Sequence, residues 1–154
     1  MRGTMKFILT KELGRFARWL RLLGFDASYF DSDDSKALFV RAFNERRIVL
    51  TKRIAIRGGK SVKVAYIKSD SLKDQFSELR RKLNINIGKK GLFTRCADCN
   101  KEVFEIHKDS VRSLVPEYVF KTQRKFFQCP RCGKIFWKAT HWDRAKEFVS
   151  EVCR

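Results

Sequence analysis

Long apolar runs are missing from this sequence. None approaches the roughly 18 residues that a membrane-crossing helix needs, and Met1 to Thr10 has neither the apolar stretch nor the small-residue cleavage site of a secretory signal. The expected location is therefore the cytoplasm. Acidic residues are scarce, with 17 Asp and Glu against 35 Lys and Arg in 154 residues, which leaves a formal charge of +18. That imbalance calls for a polyanionic partner. Nucleic acid fits better than an anionic membrane, because no segment pairs a basic face with a wide apolar face left unburied. A glycine-rich phosphate cradle is absent too, since Arg57-Gly58-Gly59-Lys60 is short and has no strand-to-helix context. What is present is a packed core in prospect: 44% hydrophobic residues, 14 Phe and three Trp are too apolar for a disordered basic tail.

Cysteine is the informative residue. There are five, and four of them form two pairs, Cys96-Ala-Asp-Cys99 and Cys129-Pro-Arg-Cys132. Without a secretory signal this pattern points to a metal rather than to disulfides. Two intervening residues let both thiolates of a tight turn face one ion at about 2.3 Å. Asn100 and Gly133 follow the pairs, and a positive φ there would turn backbone amides toward the sulfurs. Four thiolates complete a tetrahedron, so the implied ion is structural zinc with no open position for chemistry. The 29 residues between the pairs leave room for an extra strand or loop around Val103 to Phe120. His107 and His141 are poorer ligands than the thiolates, and Cys153 is left as a free thiol.

The first ninety residues alternate strand and helix patterns. Met5 to Leu9 reads as a buried strand, then Leu13, Phe16, Ala17, Leu20 and Leu23 recur at helical spacing up to a stop at Gly24. Arg15, Arg18 and Arg21 lie on the other side of that helix. Ala27 to Phe30 reads as a second strand. The acidic turn Asp31-Ser32-Asp33-Asp34 then caps a helix running through Val40 and Phe43. Arg47 to Thr51 and Val62 to Ile67 read as strands, and Leu72, Phe76, Leu79 and Leu83 as a third helix with Asp70 as its N-cap. This order predicts an α/β fold with a parallel three-layer sheet over residues 5–90, followed by a zinc ribbon and final helix over 91–154. Ligands of such a sheet bind beyond the strand C-termini. There the sequence places Thr10, Lys11 and Glu12, then Thr51, Lys52 and Arg53, then Ser69 and Asp70.

Leu13-Gly14-Arg15, Ala17-Arg18-Trp19-Leu20-Arg21, Leu23-Gly24-Phe25-Asp26 and Arg47-Ile48-Val49-Leu50-Thr51 together resemble the Mut-seven C-terminal RNase domain, a PIN-like nuclease joined to a zinc ribbon. Cys129-Pro130-Arg131-Cys132-Gly133 and Phe136-Trp137-Lys138-Ala139-Thr140-His141-Trp142 extend the resemblance toward the C-terminus. It implies a strand-end cluster of carboxylates that holds magnesium or manganese for RNA cleavage. This sequence departs from that pattern, with Thr10 and Arg53 standing where the family has Asp. A hydroxyl is no substitute for an anionic ligand, and a guanidinium repels a dication.

Two RNA-directed readings follow. One is an RNA-binding protein with a degenerate acidic site, acting on structured RNA such as that of the ribosome, with Lys11, Arg15, Arg18, Arg21, Lys52, Arg53, Arg124, Lys125 and Lys138 as contacts. The other is a magnesium- or manganese-dependent endoribonuclease using Glu12, Asp34 and Asp70. A third, non-RNA reading is a zinc-stabilised protein-interaction module. Phe126, Phe127, Phe136, Trp137 and Trp142 serve either as base-stacking rings or as the ribbon's core, with one ring facing inward and Trp142 packing on a final helix, Asp143 to Val152.

Overall fold

The computed structural model describes residues 5–154; residues 1–4, where a secretory signal would begin, lie outside them. Four short strands, β1 (Lys6–Thr10), β2 (Asp26–Phe30), β3 (Ile48–Thr51) and β4 (Val64–Tyr66), pair in parallel in the order β2-β1-β3-β4. The accompanying helices are α1 (Gly14–Leu22), α2 (Ser35–Asn44) and α3 (Leu72–Leu83). Helices cover both faces of such a sheet, so its central strand must be apolar on both sides. In β1, Phe7 and Leu9 enter one core with α1 and α3, whereas Ile8 enters a second with Leu38 and Ala42 of α2. The apolar positions read for the first and third helices are all buried. In α2 the periodicity selects Leu38 and Ala42, and it leaves Val40 and Phe43 each 59% exposed. The stop at Gly24 has φ +90°, and a Cβ there would lie 2.3 Å from the Gly91 carbonyl oxygen, so only glycine fits.

The second sheet is antiparallel, with β5 (Phe104–Ile106), β6 (Phe126–Gln128) and β7 (Ile135–Phe136) in that order. A short helix, α4 (Glu117–Thr122), fills the long interval between the cysteine pairs. Val111, Val119 and Phe126 form its small core, so Phe126 is the inward ring. The last helix, α5 (Thr140–Val152), begins earlier than the sequence suggests and contains Trp142, which stacks on Phe93 at 4.7 Å instead of packing on the helix from outside.

The buried face of α5 belongs to the parallel sheet. Ala145, Val149 and Val152 are buried with Phe16 and Phe76 in the core of the parallel sheet, and the Phe148 ring lies 4.6 Å from Trp19 and 5.6 Å from Phe76. The last helix thus follows the ribbon in sequence but gives its apolar face to the core of the parallel sheet. Amphipathic periodicity says that a helix face must be buried, not against what. No helix among the described residues is long and apolar enough to cross a membrane.

Candidate functional site

The two cysteine turns share one hydrogen-bonding scheme. In the first, the Cys96 amide donates to the Lys101 carbonyl and the Asn100 amide to the Cys96 carbonyl; in the second, Cys129 donates to Lys134 and Gly133 to Cys129. Asn100 (φ +62°) and Gly133 (φ +72°) supply the left-handed residue that closes each turn. The Arg131 amide donates to the Cys129 sulfur at 3.4 Å. All four Sγ atoms lie within 4.8 Å of one another, with Cys96 and Cys132 at 3.9 Å. Tetrahedral thiolates at 2.3 Å from zinc are separated by about 3.8 Å, so the cluster fits a metal ion such as zinc. Without an ion, burial and the neighbouring thiols push Cys99 up to about 12. Cys129 moves the other way despite burial, to about 7, because the Cys132 and Arg131 amides donate to its sulfur. A bound cation removes that conflict.

The first turn is anchored to the sheet. The Asn100 carboxamide accepts from the Ala27 amide at 3.0 Å and donates to Asp26 at 2.7 Å. Burial raises the Asp26 carboxyl, but Arg47 at 2.6 Å and Asn100 outweigh it and hold it below its ordinary value. Arg21 donates to the carbonyls of Ala27, Ala97 and Asp98, and burial lowers its pKa from the ordinary arginine value. Asp98 is paired with both Arg18 and Lys134. Two of the three arginines of α1 therefore hold the ribbon, while Arg15 remains exposed.

At the strand C-termini the hydroxyls of Thr10 and Thr51, both buried, lie 2.8 Å apart. Thr10 also donates to Glu12. The Arg53 guanidinium bridges Glu12 and Asp33, with Asp33 at 3.0 Å, and Lys11 meets Asp33 at 2.8 Å. Burial raises Glu12, but hydrogen bonds from Thr10, from its own amide and from Arg53 bring it below its ordinary value. Asp33 is lowered by the Lys11 hydrogen bond and charge, and Arg53 is raised chiefly by its bond to Glu12.

The carboxylates named from sequence are not gathered. Asp34 caps α2, accepting from the amides of Lys36 and Ala37 at 3.0 and 3.1 Å. Asp70 is exposed and paired with Lys52, and Ser71 is the N-cap of α3 in its place, because its hydroxyl reaches the Asp74 amide. Among the described residues the four cysteines are the one group of three or more His, Cys, Asp or Glu side chains placed to share an ion; Glu12, Asp34 and Asp70 form no such group. Arg124 and Lys125 are exposed, and Lys138 lies 4.7 Å over the Trp142 ring.

Sequence reasoning missed Glu78. It is buried and accepts from the amides of Lys68 and Ser69 and from the Ser69 hydroxyl, with Lys82 nearby. Burial raises its carboxyl, yet these donors bring it down to about 2. The only signal was a charged residue three positions after Gln75, on the helix's apolar side.

Fold and site together define a parallel α/β domain with a four-cysteine ribbon, able to hold a metal ion, inserted in sequence between α3 and α5. The family model of the Mut7-C RNAse domain matches residues 5–149, and the chain belongs to that family. No curated protein and no solved structure matches it.

Proposed function

We propose that this protein binds RNA without cutting it, through the cationic strand ends and the ribbon, and that the ribbon's thiolates hold zinc. The observation that carries this reading is the Arg53 guanidinium seated between Glu12 and Asp33. Magnesium and manganese need anionic oxygens free to coordinate. Here the guanidinium and Lys11 already engage those oxygens, and Thr10 and Thr51 add only hydroxyls. The residues do not fit a divalent ion, and no catalytic step through one follows. Lys11, Arg15, Lys52, Arg53, Arg124, Lys125 and Lys138 would contact phosphates, with Arg18 and Arg21 fixing the ribbon beside them. Structured RNA in the cytoplasm, such as that of the ribosome, is the partner this charge suits.

The family's own description favours a second reading, a metal-dependent endoribonuclease with Glu12, Asp34 and Asp70 as its acids. The test is to incubate labelled structured and single-stranded RNA with the protein and manganese, following binding and cleavage in the same samples, beside Glu12→Ala and Asp70→Ala. Binding without cutting supports the proposal. Cutting that both substitutions abolish replaces it with the nuclease.

A further inference from the structure

The cleft between the open edge of β2 and the two cysteine turns is separate from the strand-end site, although Asp98, Cys99 and Asn100 of the first turn line it. It encloses about 960 Å³ and is lined by six Arg and Lys side chains and four carboxylates. Each carboxylate already has a cation: Asp26 and Glu45 hold Arg47, Glu45 also holds Arg41, Glu102 holds Arg95, and Asp98 has both Arg18 and Lys134. A divalent ion in four thiolates adds a net charge of about −2. Arg21 beside Cys96 and Cys99, together with the surplus cation at Asp98, offsets it. Two lining cations then remain, Lys101 and Arg131, both exposed and without a carboxylate partner among the described residues. They flank the two turns on the ribbon side.

At the sheet side stands Tyr29, 38% exposed, with its ring against Gly14 and its hydroxyl donating to the Lys11 carbonyl at 3.2 Å. That bond ties the cleft to the strand ends. Unpaired cations at one wall and an accessible ring at the other match the two faces of an unpaired nucleotide chain, phosphate and base. An acidic peptide would satisfy the cations but has no use for the ring. We infer that this cleft holds an unpaired RNA strand running from the strand ends to the ribbon, with Lys101 and Arg131 on its phosphates and Tyr29 stacking a base. The inference rests on the RNA-binding reading and adds a site and a strand state to it.

The experiment is fluorescence anisotropy with labelled single-stranded and duplex oligoribonucleotides over a range of salt, using the zinc-loaded full chain. The variants are Lys101→Glu/Arg131→Glu, the milder Lys101→Gln/Arg131→Gln, Tyr29→Leu, and a charge-matched control distant in sequence, Lys73→Glu/Arg81→Glu. Retained zinc content certifies folding. The expected result is that both cleft pairs weaken single-strand binding about tenfold or more and flatten the log-log salt slope by roughly 0.7 for each phosphate left without its cation. Tyr29→Leu should lower affinity without changing that slope, and the duplex should respond no more to cleft than to control variants. Equal weakening by the cleft and control pairs would overturn the cleft while leaving RNA binding intact. So would equal displacement of the RNA by polyglutamate of matched charge. No binding of either RNA by the unaltered protein would overturn the RNA reading itself and the cleft with it.

Discussion

In the ribbon, four thiols within 4.8 Å of one another are backed by amides and, among the described residues, by no side-chain cation that bridges them, an arrangement that a metal ion would complete. At the sheet's C-terminal edge Glu12, Asp33, Asp34 and Asp70 are already met, Glu12 and Asp33 by Arg53, Asp33 by Lys11, Asp70 by Lys52 and Asp34 by helix amides. One region imports its counter-charge, while the other carries it in the chain. The difference lies in donor chemistry. Thiolates crowded in a turn repel one another and have no hydrogen-bond donor strong enough to settle them, whereas exposed carboxylates are satisfied by lysine and arginine in a chain that has these in excess.

Withholding the proposed zinc from the ribbon is the largest way to break that comparison. Structural zinc in small cysteine sites is worth about 10–16 kcal/mol, far more than the core of Val111, Val119 and Phe126 can replace. Chelation, or Cys129→Ser, should leave residues of β5, β6 and β7 exchanging amide hydrogens freely, while the parallel sheet and α5 stay protected. A ribbon that keeps its protection with no metal detected would put the stability elsewhere. Manganese should show the opposite asymmetry: it should leave the melting temperature of the unaltered protein unchanged.

Glu78 comes next, because it shows a sheet-edge carboxylate satisfied entirely from within. Its folded pKa, about 2, lies below the ordinary value of 4.5, so its stabilisation is complete above pH 4.5 and lost as the pH falls toward 2. The gap corresponds to about 3 kcal/mol at neutral pH. Glu78→Gln should therefore cost roughly 2–3 kcal/mol in urea unfolding at pH 7 and much less near pH 2.5. An equal cost at both values would mean that the charge is not what holds the Lys68–Ser69 turn.

The edge can also be made to resemble the ribbon. Arg53→Asp with Thr10→Asp removes the internal cation and adds two carboxylates beside Glu12 and Asp33. The double variant should be less stable without metal and should gain several degrees of melting temperature from manganese, which binds only the folded state. If it gains nothing, Arg53 was not what kept a dication out.

Much of this arrangement was legible in the residues. The strands, the helix faces of α1 and α3, the acidic turn that caps α2 and the pairing of the cysteines follow from periodicity and spacing, which are local. The position of α5 was not legible, because its apolar face matches either core equally well. Nor was the Arg53 bridge, since Arg53 is separated in sequence from Glu12 and Asp33 and only the strand order β2-β1-β3-β4 brings them together. Glu78 was hidden for a related reason: a charged residue on an apolar helix face looks like an interruption until the two amides it serves are placed.

The smallest effect tests whether the two regions are joined or merely adjacent. Asn100 belongs to the first cysteine turn by its left-handed backbone and to the sheet by its carboxamide, which engages Ala27 and Asp26. The two roles separate by substitution. Asn100→Gly keeps the backbone freedom and loses only the bonds, whereas Asn100→Ala loses the bonds and adds the left-handed penalty of about 1 kcal/mol. Losing the bonds alone should cost about 1–2 kcal/mol, since it strands an edge amide and half of Asp26's donors. Thermal unfolding should then rank the original protein above Gly and Gly above Ala. If Gly equals the original while Ala falls, the carboxamide contributes nothing and the ribbon sits on the sheet through Arg21 and Arg18 alone. If Gly and Ala fall equally, the turn tolerates a Cβ at φ +62° because the bound ion enforces it, and metal loading would then be what positions the ribbon against β2.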